Sequence, residues 1–296
     1  MRIGLGLPVA GAWADPAHLG DFAERAESLG YQSLWTFQRL LVGAGQEDLD
    51  PVYRSVLDPL VALAFAAART TRLRLGVAVL NLPFVSPVVV AKQASTLDVL
   101  CGGRFDLGLG TGWSRVEFTA TGASEARRGP RTREFLRVLR TLWADDVSAF
   151  EGEFYTVPPS RMLPKPVQRP GPPVLLGGSA PAALRRAGRL ADGWISRSGQ
   201  DLSRIVDDIA VVRQAAEEAG RDPAALRIVC RGVLRDAGPL SGPVERIREG
   251  AARLGEQGVT ELFYDLNWDS TIGSPDAEPA AAIARATELV EALAPG

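Results

Sequence analysis

The chain has 296 residues, 46% of them hydrophobic and 23% charged, with a formal net charge of −2. This length can bury a sizeable core, and the charge balance leaves no basic stripe of the kind a nucleic-acid partner requires. The apolar run over 60–68 is far short of a membrane span and no charged-then-apolar leader precedes the first strand, so a cytoplasmic protein is expected.

In chain order the pattern alternates. A strand over 3–8 leads to a helix over 16–29, with Asp15 as N-cap, Pro16 at the first helical position and Gly30 at the end. Leu19, Phe22, Ala23, Ala26 and Leu29 share one face of it. A second strand over 32–36 opens into a long polar loop ending near Val56. Asp58 and Pro59 then start a helix to Arg69. The continuous apolar character of 73–80 suits a parallel strand covered on both faces. Breaks at Pro83 and Pro87 precede a helix over 88–100 and a fourth strand over 105–109.

The segment 111–174 interrupts the rhythm with a helix over 130–143, a hairpin over 148–157 and a proline-rich crossing over 158–173. Strands over 174–176, 194–196, 227–233 and 261–264 then alternate with helices over 181–190, 202–219, 243–257 and 279–293. Eight strands, each followed by a helix, predict a right-handed parallel sheet closed into a (β/α)8 TIM barrel. It is read as one domain over 1–296, with an insertion after strand four at about 120–173.

In such a barrel the chemistry gathers at the C-terminal ends of the strands. Two glycine-rich turns fall there. Gly110, Thr111, Gly112 and Trp113 follow strand four, where glycines let backbone N–H groups approach a ligand. The spacing is not that of a dinucleotide fingerprint, and a bare tight turn is the alternative. Gly177, Gly178 and Ser179 follow strand five and open a helix, whose free N–H groups suit an anion, a plain turn again being the alternative. Together the two turns describe a place for a phosphorylated cofactor.

Other residues are read more plainly. Cys101 and Cys230 match no metal spacing and are taken as small buried residues. His18, the one histidine, is placed at the start of the first helix and at the end of the barrel away from the chemistry, as a surface or capping residue. Trp35, Trp113 and Trp194 are expected to wall the pocket, with core packing as the alternative. Arg127, Arg128, Arg131 and Arg133 are read as a solvated helix start, the alternative being contact with a cofactor's phosphate or an acidic tail.

GYQSLW (30–35), LRLGVAVLNLPFVSP (73–87), GGRFDLGLGTGWSRVEF (102–118), EGEFY (151–155) and PVLLGGSAPAALRRAGRLADGW (173–194) form a specific set. They resemble the bacterial-luciferase-like superfamily of flavin- and deazaflavin-dependent oxidoreductases; the last three units match it only in rhythm. The resemblance implies a reduced flavin-type ring in the barrel mouth. It also implies a non-prolyl cis peptide at Ala78–Val79, on a strand-three bulge behind the ring, and Asn81 placed to hydrogen-bond the cofactor.

Coenzyme F420, a deazaflavin that delivers hydride, is the cofactor implied, because the segments of strands three and four are most similar to that branch. FMN with oxygen insertion is the alternative, and a non-catalytic flavin-binding relative is a further one. Many relatives carry an Asp-His pair where this chain has Gln38 and Arg39. Histidine acid catalysis is thereby excluded. Arg39 remains to bind an anionic substrate or to stabilise charge on the reduced ring, with an exposed loop arginine as the alternative. Glu117 is implied to shape its loop. A small-molecule substrate, bound among the loops after strands one, two, seven and eight, and a homodimer paired through helices on one side of the barrel complete the expectation.

Overall fold

Acids followed by proline set the helix starts. Asp15 accepts hydrogen bonds from the N–H groups of Ala17 and His18 at the head of α1 (Pro16–Ser28). Asp58 does the same for Leu60 and Val61 in α2 (Pro59–Arg69). Each satisfies amides that a helix start leaves open. The computed structural model describes residues 1–46 and 48–295.

The strands are β1 (Arg2–Gly6), β2 (Ser33–Thr36), β3 (Arg74–Asn81), β4 (Phe105–Gly110), the hairpin β5 (Ser148–Glu151) and β6 (Thr156–Ser160), then β7 (Val174–Gly177), β8 (Gly193–Ile195), β9 (Arg227–Gly232) and β10 (Glu261–Tyr264). All but the hairpin close a parallel barrel in the order β1-β10-β9-β8-β7-β4-β3-β2. Pairing of Arg2 with Glu261 through Leu5 with Tyr264 makes the seam. The eight-stranded TIM barrel expected from the alternation is therefore the fold.

The helices outside the barrel continue with α3 (Pro87–Leu100), α4 (Arg115–Thr121), α5 (Arg128–Ala144), α6 (Pro181–Leu190), α7 (Ile205–Glu217), α8 (Val244–Glu256) and α9 (Pro279–Ala292). The segment between β4 and β7 holds α4, α5 and the hairpin. Among the described residues no helix is long and apolar enough to cross a membrane.

Period-two alternation splits each strand between two cores. Leu34, Ile228, Cys230, Leu262 and Tyr264 face the helices. Trp35, Leu175, Ile195, Val229 and Phe263 fill the barrel interior, where the Trp35 and Phe263 rings stack with centroids 5.4 Å apart. Gly76 makes that possible, since a Cβ there would lie 2.3 Å from Trp35 Cε3.

Beneath the stacked rings the barrel floor is ionic. Fully buried Asp106 accepts from Arg74 Nη2 and Arg227 Nη1, both at 2.6 Å. Arg227 Nη2 also donates to Glu261 at 2.8 Å, and Glu261 accepts from Trp35 Nε1 at 2.8 Å and Ser33 Oγ at 2.6 Å. Every charge is met by hydrogen bonds, the condition for burying one.

Candidate active site

A cleft of about 260 Å³ opens at the C-terminal ends of β2, β3, β4, β7, β8 and β9. Its floor is the end of β3. Register against β4 shifts between Val77 and Leu80, and the Ala78–Val79 peptide is cis. Val79 lies against its neighbours so closely that a Cβ on Gly110 would come 2.5 Å from Val79 Cγ2, and one on Gly177 3.1 Å from Val79 Cγ1. Gly110 is thus held to glycine by the bulge of the adjoining strand, Gly177 sits in tight contact with it, and both line the cleft. Asn81 lines it too, with its N–H donating to Gln38 Oε1 at 2.8 Å.

The two glycine-rich turns meet on one side of the cleft, where Thr111, Gly112, Trp113, Gly178 and Ser179 all line it. The N–H groups of Thr111, Gly112 and Trp113, and those of Gly178, Ser179 and Ala180, find no acceptor among the described residues. Gly178 has φ +129°, which few side-chain-bearing residues adopt. Its carbonyl accepts from Trp194 Nε1 at 2.8 Å, which anchors the turn to the outer core. Runs of open amides at a helix start suit a phosphate. Arg197, Ser196 and Ser198 stand beside them in the lining, and no carboxylate pairs with Arg197 among the described residues.

On the opposite side lies Arg39. It is 7% exposed, and its Nη1 donates to Glu117 Oε2 at 2.7 Å. Glu117 Oε1 accepts from the Leu40 N–H at 2.7 Å, so one carboxylate fastens the loop after β2 to α4. The guanidinium carbon lies 4.2 Å from the Tyr53 ring centroid and 4.4 Å from that of Trp113. Arg39 is therefore a buried member of the cleft wall rather than an exposed loop arginine.

Arg231, at the end of β9, completes the site and escaped the sequence reading. It is 5% exposed, lies 3.3 Å from Asp265 Oδ2, and its Nη2 donates to the Ala78 carbonyl. Its Nε is buried without a partner. An unsatisfied buried donor beside the cleft floor is costly unless a ligand accepts from it. The parity of β9 carried a signal: Arg227, Val229 and Arg231 share the inward face, and Arg231 stands at the mouth end of that row, away from the floor acids that hold Arg227.

Residues 2–234 match the family model for luciferase-like monooxygenases. The chain belongs to that family. An F420-dependent glucose-6-phosphate dehydrogenase of Kineococcus radiotolerans is 32% identical over 222 residues, 73% of this chain and 63% of its own. An FMNH2-dependent dimethylsulfone monooxygenase of Pseudomonas putida is 35% identical over 193 residues, 63% of this chain and 51% of its own. The solved structure of a monooxygenase from Streptomyces bottropensis shares the fold, with a TM-score of 0.79 at 23% identity over 99% of this chain and 98% of that one. Luciferase-like family members are oxidoreductases and monooxygenases, and both F420-dependent and FMN-dependent relatives are similar to this chain.

Several residues of this luciferase-like barrel sit elsewhere than the sequence suggested. Of the three tryptophans expected to wall the pocket, only Trp113 lines it. Trp35 points into the barrel below, and Trp194 points outward into the helix layer. His18 was expected at the far end, but α1 begins where β1 has ended, so its first turn lies on the mouth side. His18 nevertheless packs away from the cleft, 5.9 Å from Trp13 and 5.8 Å from Phe22 between ring centroids. Burial lowers its pKa, against the opposing pull of Asp15 and Asp21.

Of the α5 arginines, Arg128 is half-buried and donates to the Gly112 carbonyl at 3.0 Å, while Arg131 lies over the Phe154 ring at 4.7 Å. Arg127 and Arg133 are exposed, so the helix start is solvated at two of its four arginines and packed at the other two. Cys101 and Cys230 are both buried, and burial pushes the Cys230 thiol up to about 12, far from reactive.

Proposed function

We propose that this member of the family is an F420-dependent oxidoreductase, passing hydride between the deazaflavin and a small organic substrate at the barrel mouth. The observation that carries a flavin-type cofactor is the meeting of three features in one cleft: the bulged β3 floor, two runs of open amides, and the orphaned Arg231 Nε. The open amides of Thr111 to Trp113 and Gly178 to Ala180 hold the phosphate, with Arg197 nearby. Ala78, Val79, Asn81 and Gly110 support the ring, and Arg231 donates to an acceptor at its edge. Such a ring supplies the hydride; the protein supplies placement and electrostatics. No histidine reaches the cleft, so the donors available to charge developing there are arginines and amides.

F420 is preferred over FMN because the similarity to the F420-dependent relative runs over more of this chain than that to the FMNH2-dependent one. The second reading, an FMN-dependent monooxygenase, draws on the higher local identity of the latter. Titration of the purified protein with each coenzyme, followed by fluorescence, separates the readings. F420 binding in the low micromolar range with FMN much weaker is expected. FMN alone binding would favour the monooxygenase, and binding of neither would remove the cofactor assignment.

We also propose that the chain forms a homodimer through α2 and α3. These neighbouring helices leave Val61 70% and Phe65 44% exposed on one and Val88 and Val89 exposed on the other, more apolar surface than two isolated helices need show to water. Light scattering should give twice the mass of the chain, and Val61→Glu with Phe65→Glu should halve it. A wild-type protein that stays monomeric at tens of micromolar would rule the dimer out.

A further inference from the structure

The two sides of the cleft differ in how their charge is balanced. Three arginines line it, Arg39, Arg197 and Arg231, and no carboxylate does. On the β8 side Arg197 is exposed, among serines and open amides, with no carboxylate partner among the described residues. On the β2 side the arginines are already compensated. Arg39 is bonded to Glu117, itself 1% exposed, and Arg231 faces Asp265, 2% exposed. Each acid stands behind its arginine, outside the lining, so each pair presents little net charge to a ligand.

What this side does present is aromatic. Tyr53 meets Trp113 and Trp268 with ring centroids 5.7 and 5.2 Å apart, and Phe37 lies 5.8 Å from Trp268. Tyr53 and Trp113 both lie against the Arg39 guanidinium, on adjoining sides of it. A carboxylate arriving here would lose its water to meet guanidinium groups already paired with Glu117 and Asp265, a poor exchange, whereas the unpartnered Nε–H of Arg39 and of Arg231 can be met by a neutral carbonyl. A flat neutral molecule would gain ring contacts and displace little.

We propose that the β2 side of the cleft is a substrate subsite for uncharged, planar organic molecules and that it discriminates against their carboxylate counterparts. This rests on the ring-binding reading above, which assigns the anion-holding side to the coenzyme. Glu117 is then the specificity-determining residue, acting as the counter-charge behind the wall.

The test compares 2-naphthamide with 2-naphthoate, which share a ring system and differ in charge, by isothermal titration calorimetry. Arg197→Ala protein is used, so that the exposed arginine cannot capture the acid, together with wild-type protein saturated with whichever coenzyme binds. The amide should bind at least tenfold tighter than the acid in both. Glu117→Gln, which frees the Arg39 charge, should narrow that ratio at least tenfold. Wild-type ligand selection decides the matter even if that variant fails to fold. Equal or tighter binding of naphthoate, or no binding of either probe, overturns the proposal. Failure of both coenzymes to bind would instead sink the cofactor reading, while the probe pair still reports on the Arg197→Ala cleft.

Discussion

Asp106→Ala should cost about 3–5 kcal/mol of stability, the range for removing one partner of a buried ion pair. The two arginines it leaves behind, Arg74 and Arg227, are largely buried, and Glu261 can satisfy only part of the Arg227 fork. Urea unfolding should show a lower midpoint at unchanged slope, with the loss read from that shift. A change below about 1 kcal/mol would mean that the barrel floor is far wetter than its packing implies.

The same carboxylate sets a pH signature. Burial alone would raise its pKa, but the hydrogen bond from Arg74 and the charge of Arg227 outweigh this and hold it below the ordinary 3.8. A depressed acid contributes stability that is fully present above the unfolded value and is lost as pH falls toward the folded one. The stabilising effect of Asp106 should therefore fade below about pH 4, and Asp106→Asn should flatten the acid limb there.

Arg231→Met should weaken coenzyme binding by about 10- to 100-fold, a binding counterpart of the 100- to 1,000-fold rate cost of losing one preorganised donor. It should also destabilise the fold, because Asp265 would remain buried and charged beside the cleft. The second effect can be separated from the first. Asp265 also accepts from Asn267 Nδ2 at 2.8 Å and from Trp268 Nε1 at 3.1 Å, contacts that an asparagine can partly keep. Arg231→Met combined with Asp265→Asn should regain much of the stability and none of the affinity. If the double variant regains coenzyme binding, Arg231 acts only through the fold.

The barrel was legible because its local grammar is consistent. Acid-proline caps such as Asp15-Pro16 and Asp58-Pro59 mark helix starts, and apolar runs such as β3 mark buried parallel strands. The glycine turns after β4 and β7 were legible for the same reason. A continuous apolar run, however, does not reveal which parity faces inward. That is why Trp35 and Trp194, one inside the barrel and one outside, looked alike in sequence. The Arg39–Glu117 bond spans 78 positions and has no local signature. Arg231 lies in a unit where the family resemblance had thinned to rhythm, and only its place in the inward row of β9 marked it.

The contact of Val79 with Gly110 and Gly177 limits how such a barrel can be retargeted. Gly110 is blocked by a neighbouring strand and a Cβ on Gly177 needs that strand to give by a few tenths of an ångström, so they offer an engineer little freedom to alter ligand preference. Adaptable positions lie on the exposed rim, at Trp113 and Arg197, whose side chains come from loops. A library directed at the rim should yield new specificities while keeping folded members, whereas one directed at Gly110 should keep fewer of them.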